Sequence, residues 1–94
     1  MTYRVRLSKQ ALSDLDRLPD FLALKSPAVA SRVRDLLVDG IASLAERPNR
    51  GRAVGNGTLR ELQLKSGRQG YVLRYRVTTS EVLITRIRHT REAR

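Results

Sequence analysis

Residues 59–89 contain three alternating runs, Leu59 to Leu64, Tyr71 to Val77 and Val82 to His89, broken only at Lys65-Ser66-Gly67 and Thr78-Thr79-Ser80. Links this short cannot carry a crossover, so the runs must be antiparallel neighbours in one sheet. In the second run Tyr71, Leu73, Tyr75 and Val77 form an apolar row, with Val72, Arg74 and Arg76 opposite. Both tyrosines are therefore expected in the core. In the last run Leu83 and Ile87 oppose Val82, Ile84, Arg86 and Arg88, which leaves apolar side chains on both faces. A β-bulge in this strand would remove the conflict by flipping part of the row.

The segment before these runs is helical. Tyr3, Val5 and Leu7 alternate with Arg4 and Arg6 as in a short strand, and Ser8 then stands as a helix N-cap. Ala11, Leu12, Leu15 and Leu18 follow at helical spacing, with Asp14, Asp16 and Arg17 assigned to the outer side and Pro19 expected to end or kink the helix. Ser26-Pro27 starts a second helix, with proline at the first helical position. Its apolar stripe is Val29, Val33, Leu36, Leu37, Ile41 and Leu44, opposed by Arg32, Arg34, Asp35 and Asp39, and Pro48 limits it. Residues 46–57 carry Pro48, Gly51, Gly55 and Gly57 and read as the main loop, without the spacing of a phosphate-binding loop.

These elements predict one α+β domain over residues 1–94, ordered β-α-α-β-β-β, with an N-terminal strand, a helix hairpin and a three-stranded antiparallel meander. With the hairpin on the apolar face of the sheet, Arg4, Arg6, Arg74, Arg76, Arg86 and Arg88 fall on the open face by parity.

Charge gives that face a meaning. The chain has 19 Lys+Arg against 9 Asp+Glu, a formal net charge of +10. Residues 1–47 hold eight basic and six acidic side chains and residues 48–94 eleven and three, so the surplus is regional. A GC-rich genome writes arginine for lysine at ordinary surface positions, which accounts for part of the arginine excess but not for its placement. Such a field suits nucleic acid, an acidic protein or an anionic surface. There is no cysteine, no apolar run of membrane-spanning or signal-peptide length, and no cofactor or metal motif, so a cytoplasmic protein without cofactor or membrane partner is expected. Three tyrosines and one phenylalanine are too few for a platform that stacks single-stranded bases.

The order of elements, with A-L-x-D-L-x-x-L over Ala11–Leu18, Pro48, Gly51-Arg52, Gly70-Tyr71-Val72-Leu73-Arg74-Tyr75-Arg76-Val77 and Ile87-Arg88-His89-Thr90-Arg91-Glu92-Ala93, resembles the RelE/ParE superfamily of bacterial type II toxins. The resemblance implies a toxin neutralised by a cognate acidic antitoxin in a hetero-oligomer, with growth arrest when the antitoxin is lost. It implies one of two targets. RelE-like members cut mRNA on the ribosome, and ParE-like members inhibit DNA gyrase.

Cleavage through a 2′-hydroxyl needs a proton acceptor, a proton donor and cations at the phosphate. The RelE-like arrangement supplies them from basic residues after the main loop, a strand arginine, and a C-terminal arginine and tyrosine. Here those regions read Arg60-Glu61-Leu62-Gln63-Leu64, Val72, and His89-Thr90 with no later tyrosine. The departures favour the ParE branch, with DNA gyrase as target and Arg86, Arg88, His89 and Arg91 as its contacts. Arg74, Arg76, Leu15, Leu36 and Leu37 are the antitoxin-binding candidates. Were the chain instead a ribosome-dependent mRNA endoribonuclease, Arg60, Arg68, His89 and Arg91 would be its catalytic set. His89 can exchange a proton near neutral pH, but it equally can close the last strand within a hydrogen-bond network, and that structural reading is preferred.

Overall fold

A computed structural model describes residues 2–55 and 57–91, leaving aside the side chain of Phe21. Strand β1 (Arg4–Leu7) leads into helices α1 (Lys9–Ala23) and α2 (Pro27–Ser43). A two-residue strand β2 (Arg52–Ala53) and the meander β3 (Leu59–Ser66), β4 (Gln69–Val77) and β5 (Glu81–His89) complete the fold. The α+β architecture is that read from the sequence, with one added strand. The sheet order is β1-β5-β4-β3-β2. β1 joins as a parallel neighbour of β5, and the remaining pairs are antiparallel.

Both helix starts form as their residues dictate. Ser8 Oγ accepts from Ala11 N at 3.1 Å and Ser26 Oγ from Val29 N at 3.3 Å, with Pro27 at the first helical position. Pro19 does not end α1. It lies inside the helix and is fully buried, so packing against the sheet carries the helix through a residue that cannot donate its own bond. The core gathers Ala11 and Leu18 from α1, Val33 and Leu37 from α2, and Leu62, Leu64, Tyr71, Leu73, Tyr75, Val82, Ile84 and Ile87 from the sheet.

The conflict in β5 is resolved as the alternation requires. The β4–β5 register slips between Arg74 and Tyr75, pairing Arg74 with Arg86 but Tyr75 with Ile84, so that Thr85 is the extra residue. Val82, Ile84 and Ile87 are all fully buried, while Leu83 stays opposite Arg76 on the other face. The turn from β3 to β4 uses Gly67 at φ 58°, where a side chain would be strained. Among the described residues no helix is long and apolar enough to cross a membrane.

Candidate functional site

Two basic surfaces result, one on the open face of the sheet and one at the end where β3 turns into β4. On the open face, β1 places Arg4 and Arg6 opposite Glu81 and Leu83, and β4 places Arg74 and Arg76 opposite Glu61 and Leu59. Arg88 stands opposite Val72. β2 adds Arg52, whose partner in the ladder is Glu61.

The face partly neutralises itself. Glu61, one-tenth exposed, accepts from Arg74 Nε and Nη2 at 3.1 and 2.8 Å, and Arg88 Nη2 lies 3.9 Å away. Glu81 lies 3.6 Å from Arg6 and 4.0 Å from Arg4, pairs exposed enough to be worth about 0–1 kcal/mol each. Arg76 is exposed and has no ion pair among the described residues. Arg86, the sixth arginine assigned to this face, departs from it: its Nε donates to Asp14 on α1 at 3.2 Å, across the part of β5 that β1 is too short to cover.

At the end of the sheet, His89 pairs with Tyr71 and shares its helix-covered side. It is therefore not on the face that holds Arg88, and the expected target-binding set divides into two groups. The His89 ring meets Tyr71 edge-on, with centroids 5.0 Å apart at 88°. Its Nδ1 accepts from Arg91 N at 3.0 Å, which leaves Nε2 to donate to Gln69 Oε1 at 3.0 Å. The imidazole closes a hydrogen-bond network at the end of β5. Beside it lies a concavity of about 490 Å³ lined by Arg17, Leu18, Leu22, Lys25, Tyr71 and Arg91 together with His89 and Gln69.

The conditional nuclease set is only partly assembled. Arg68, on the β3–β4 turn, and Arg91 line a neighbouring concavity. Arg60 is remote from them: it pairs with Tyr75, four residues of β4 away from the Tyr71–His89 level, or roughly 13 Å along the strand. There its Nη1 donates to Gly51 O. Tyr75 is fully buried, donates to Pro48 O at 2.8 Å and accepts from Gly51 N at 2.8 Å, so it anchors the main loop to the core. Burial raises its hydroxyl above the ordinary value of 10.0, against the opposing pull of the Gly51 N–H and of Arg60 and Arg50.

Of the apolar antitoxin-binding candidates, Leu37 is fully buried and belongs to the core rather than to a surface. Leu15 and Leu36 are partly buried against that core. Among the described side chains, the large apolar ones that α1 and α2 do expose are Leu12 and Val38, at 52% and 47%.

The assignment of Asp14 to the outer side of α1 is also corrected. Asp14 is fully buried; Oδ2 accepts from Ile87 N at 2.9 Å and from Arg86 Nε, and Oδ1 accepts from Gln10 Nε2 at 2.9 Å and Arg17 Nη2 at 3.4 Å. Its position was visible in the spacing, because residue 14 follows Ala11 by three and precedes Leu18 by four, on the face of both. Glu61 had a signal too, since in β3 it has the parity that opposes buried Leu62 and Leu64.

Comparison with known proteins agrees with this architecture. Residues 5–94 match the family described as the ParE toxin of the type II toxin–antitoxin system parDE. The toxin RelE1 of Caulobacter vibrioides is 43% identical over 94 residues, the whole of both chains. The toxin RelE3 of the same organism is 39% identical over 90 residues, 96% of this chain and 97% of that one. Among solved structures, the chromosomal ParDE system of P. aeruginosa superposes with a TM-score of 0.79 at 24% identity, covering 94% of this chain and 96% of that chain. The RelBE2 toxin–antitoxin complex of Mycobacterium tuberculosis gives 0.64 at 23%, covering 98% and 95%. With its profile matched nearly end to end and a relative alike along its whole length, the chain belongs to the ParE toxin family of type II toxin–antitoxin systems, within the RelE/ParE superfamily.

Proposed function

We propose that the chain is a ParE-like toxin that inhibits DNA gyrase by binding rather than by cutting nucleic acid, and that a cognate antitoxin neutralises it. The observation that supports this reading is the tethering of its only histidine, held at Nδ1 by Arg91 N and at Nε2 by Gln69, with an edge-on tyrosine behind it. A general base must reach the proton it removes, and this imidazole is already committed to closing a strand. Gyrase contacts are assigned to Arg88 on the open face, to Arg86 where it turns toward α1, and to His89 and Arg91 at the end of β5.

The antitoxin is assigned to the outer surface of the helix hairpin, where Leu12 and Val38 are open and Leu15 and Leu36 partly so. An amphipathic helix laid on that surface would bury them. The endoribonuclease reading retains one supporting observation, the gathering of Arg68, His89 and Arg91 about the β3–β4 end. Supercoiling by purified gyrase and cleavage of ribosome-bound mRNA, assayed with the same protein, separate the two. Inhibited supercoiling with intact message is expected; cleaved message with unaffected gyrase would refute the gyrase reading.

A further inference from the structure

Of the chain's five Arg-x-Arg triplets, the three at 4–6, 74–76 and 86–88 lie on β1, β4 and β5, which are adjacent in the sheet. The register brings all of these arginines but Arg86, which turns to Asp14, into a band on the open face. Arg88 stands at the level of Val72, Arg74 two residues further, Arg76 and Arg6 at the level of Leu83, and Arg4 at the level of Glu81, which meets Thr78. From Val72 to Thr78 the band runs six residues, ~20 Å at about 3.3 Å per residue. Arg52 flanks it from β2. Among the described residues, Glu61 and Glu81 are the carboxylates that oppose these six arginines on the face.

We propose that this band binds the phosphate backbone of duplex DNA. A peptide bound as an added strand or a docked helix needs a sheet edge or a groove, whereas an acidic one can pair with arginines alone and would compete with DNA for this band. The middle of an open face offers no main-chain partners, only a regular array of guanidinium groups. A single strand would require aromatic side chains for its bases to stack on. Tyr71 and Tyr75 are buried in the core and Tyr3 packs against it, so among the described side chains the face has no aromatic. What remains is sequence-independent contact with phosphates, each paired with an arginine fork. Arg-x-Arg on a strand repeats at about 6.6 Å, comparable to the step between successive phosphates along one strand. The choice of DNA over duplex RNA rests on the gyrase reading, because gyrase acts on duplex DNA.

Binding is measured without gyrase, by fluorescence anisotropy of a labelled mixed-sequence DNA duplex across a salt series. The variants are R6A/R76A on the band and R32A/R47A, which removes the same charge from exposed positions on α2 and the loop beyond it. The expected result is a loss of about tenfold for R6A/R76A with a salt slope shallower by about two, and less than about threefold for R32A/R47A. Equal losses in both would reduce the effect to diffuse net charge and overturn the proposal. So would tighter binding of a duplex RNA of the same length, or a glutamate-rich peptide that binds with the same arginine dependence while DNA does not. Unchanged melting temperatures confirm that the variants are folded. Failure here leaves gyrase inhibition standing, and failure to inhibit gyrase leaves DNA binding standing.

Discussion

Replacing Asp14 by alanine tests how the sheet is closed beyond the end of β1. β1 pairs with β5 from Arg4 as far as Leu7 opposite Ile84, after which the chain turns into α1, Ser8 Oγ meets Thr85 O, and the β5 edge beyond is left without a strand partner. Asp14 fills that gap, accepting the Ile87 N–H at 2.9 Å from a fully buried position. In D14A this buried donor loses its acceptor, at a cost of about 1–3 kcal/mol. Arg86 and Arg17, with side chains 47% and 49% exposed, regain water, so their loss adds about 0–1 kcal/mol each. The total is about 1–5 kcal/mol, out of a stability of about 5–15 kcal/mol for a domain of this kind. At about 4–8 °C per kcal/mol, the melting temperature should fall by roughly 4–40 °C. D14N should cost about half as much, because an amide oxygen can keep Ile87 N and Arg86 Nε while Gln10 and Arg17 turn away. Urea denaturation followed by circular dichroism measures both, with the slope m checked for constancy. A D14A variant within about 0.5 kcal/mol of the parent, or a D14N variant less stable than D14A, would refute the role assigned to this carboxylate.

Tyr75 makes stability depend on alkaline pH. Its folded hydroxyl is raised above 10.0, so from about pH 10 upward the unfolded chain gives up a proton that the folded one keeps, and stability falls as pH rises through the folded value. Y75F should cost about 1–2 kcal/mol at neutral pH and flatten the alkaline fall in urea midpoints; parallel curves for the two proteins would count against it. G51A should loosen the main loop, because a Cβ there would lie 2.6 Å from Tyr75 Oη and 2.7 Å from the backbone Glu61 O, neither of which can withdraw. G40A meets only the end of the Leu64 side chain and should be the milder of the two in thermal melts. S8A removes the cap of α1 and a hydrogen bond from Ser8 Oγ to Thr85 O at 3.0 Å, and should lower stability by about 1–2 kcal/mol in the same assay.

Much of this arrangement was legible because it is local. The caps at Ser8 and Ser26, the alternation in β4 and the conflict within β5 each depend on a few consecutive residues, and each appears in the structure with the expected partners. Contacts that depend on which strands become neighbours were less legible. Nothing local to Arg52-Ala53 marks β2, which exists because β3 offers it an edge. Pro19 reads as a stop by its own chemistry, and only the packing of α1 on the sheet overrides it. The open face could be assigned by parity, but not the carboxylates that hold Arg74 and Arg86, since Glu61 and Asp14 reach them from other elements. For the same reason Arg60 and His89, both reasonable members of a catalytic set by residue type, end at different levels of the sheet.

The position of β5 bears on how the chain is made. The strand synthesised after all the others described is not an edge strand; it sits between β1 and β4, and it alone joins the first strand to the meander. While residues 81–89 remain inside the ribosomal exit tunnel, β1 has no partner, Asp14 has no strand to cap, and α1 and α2 have only part of a sheet to cover. The last insertion must also close a loop spanning most of the chain, so the slow step of folding waits until β5 has emerged. Until residues 81–89 are free of the tunnel a nascent toxin therefore has only part of its arginine band, and an antitoxin present at that moment meets the fold as it forms.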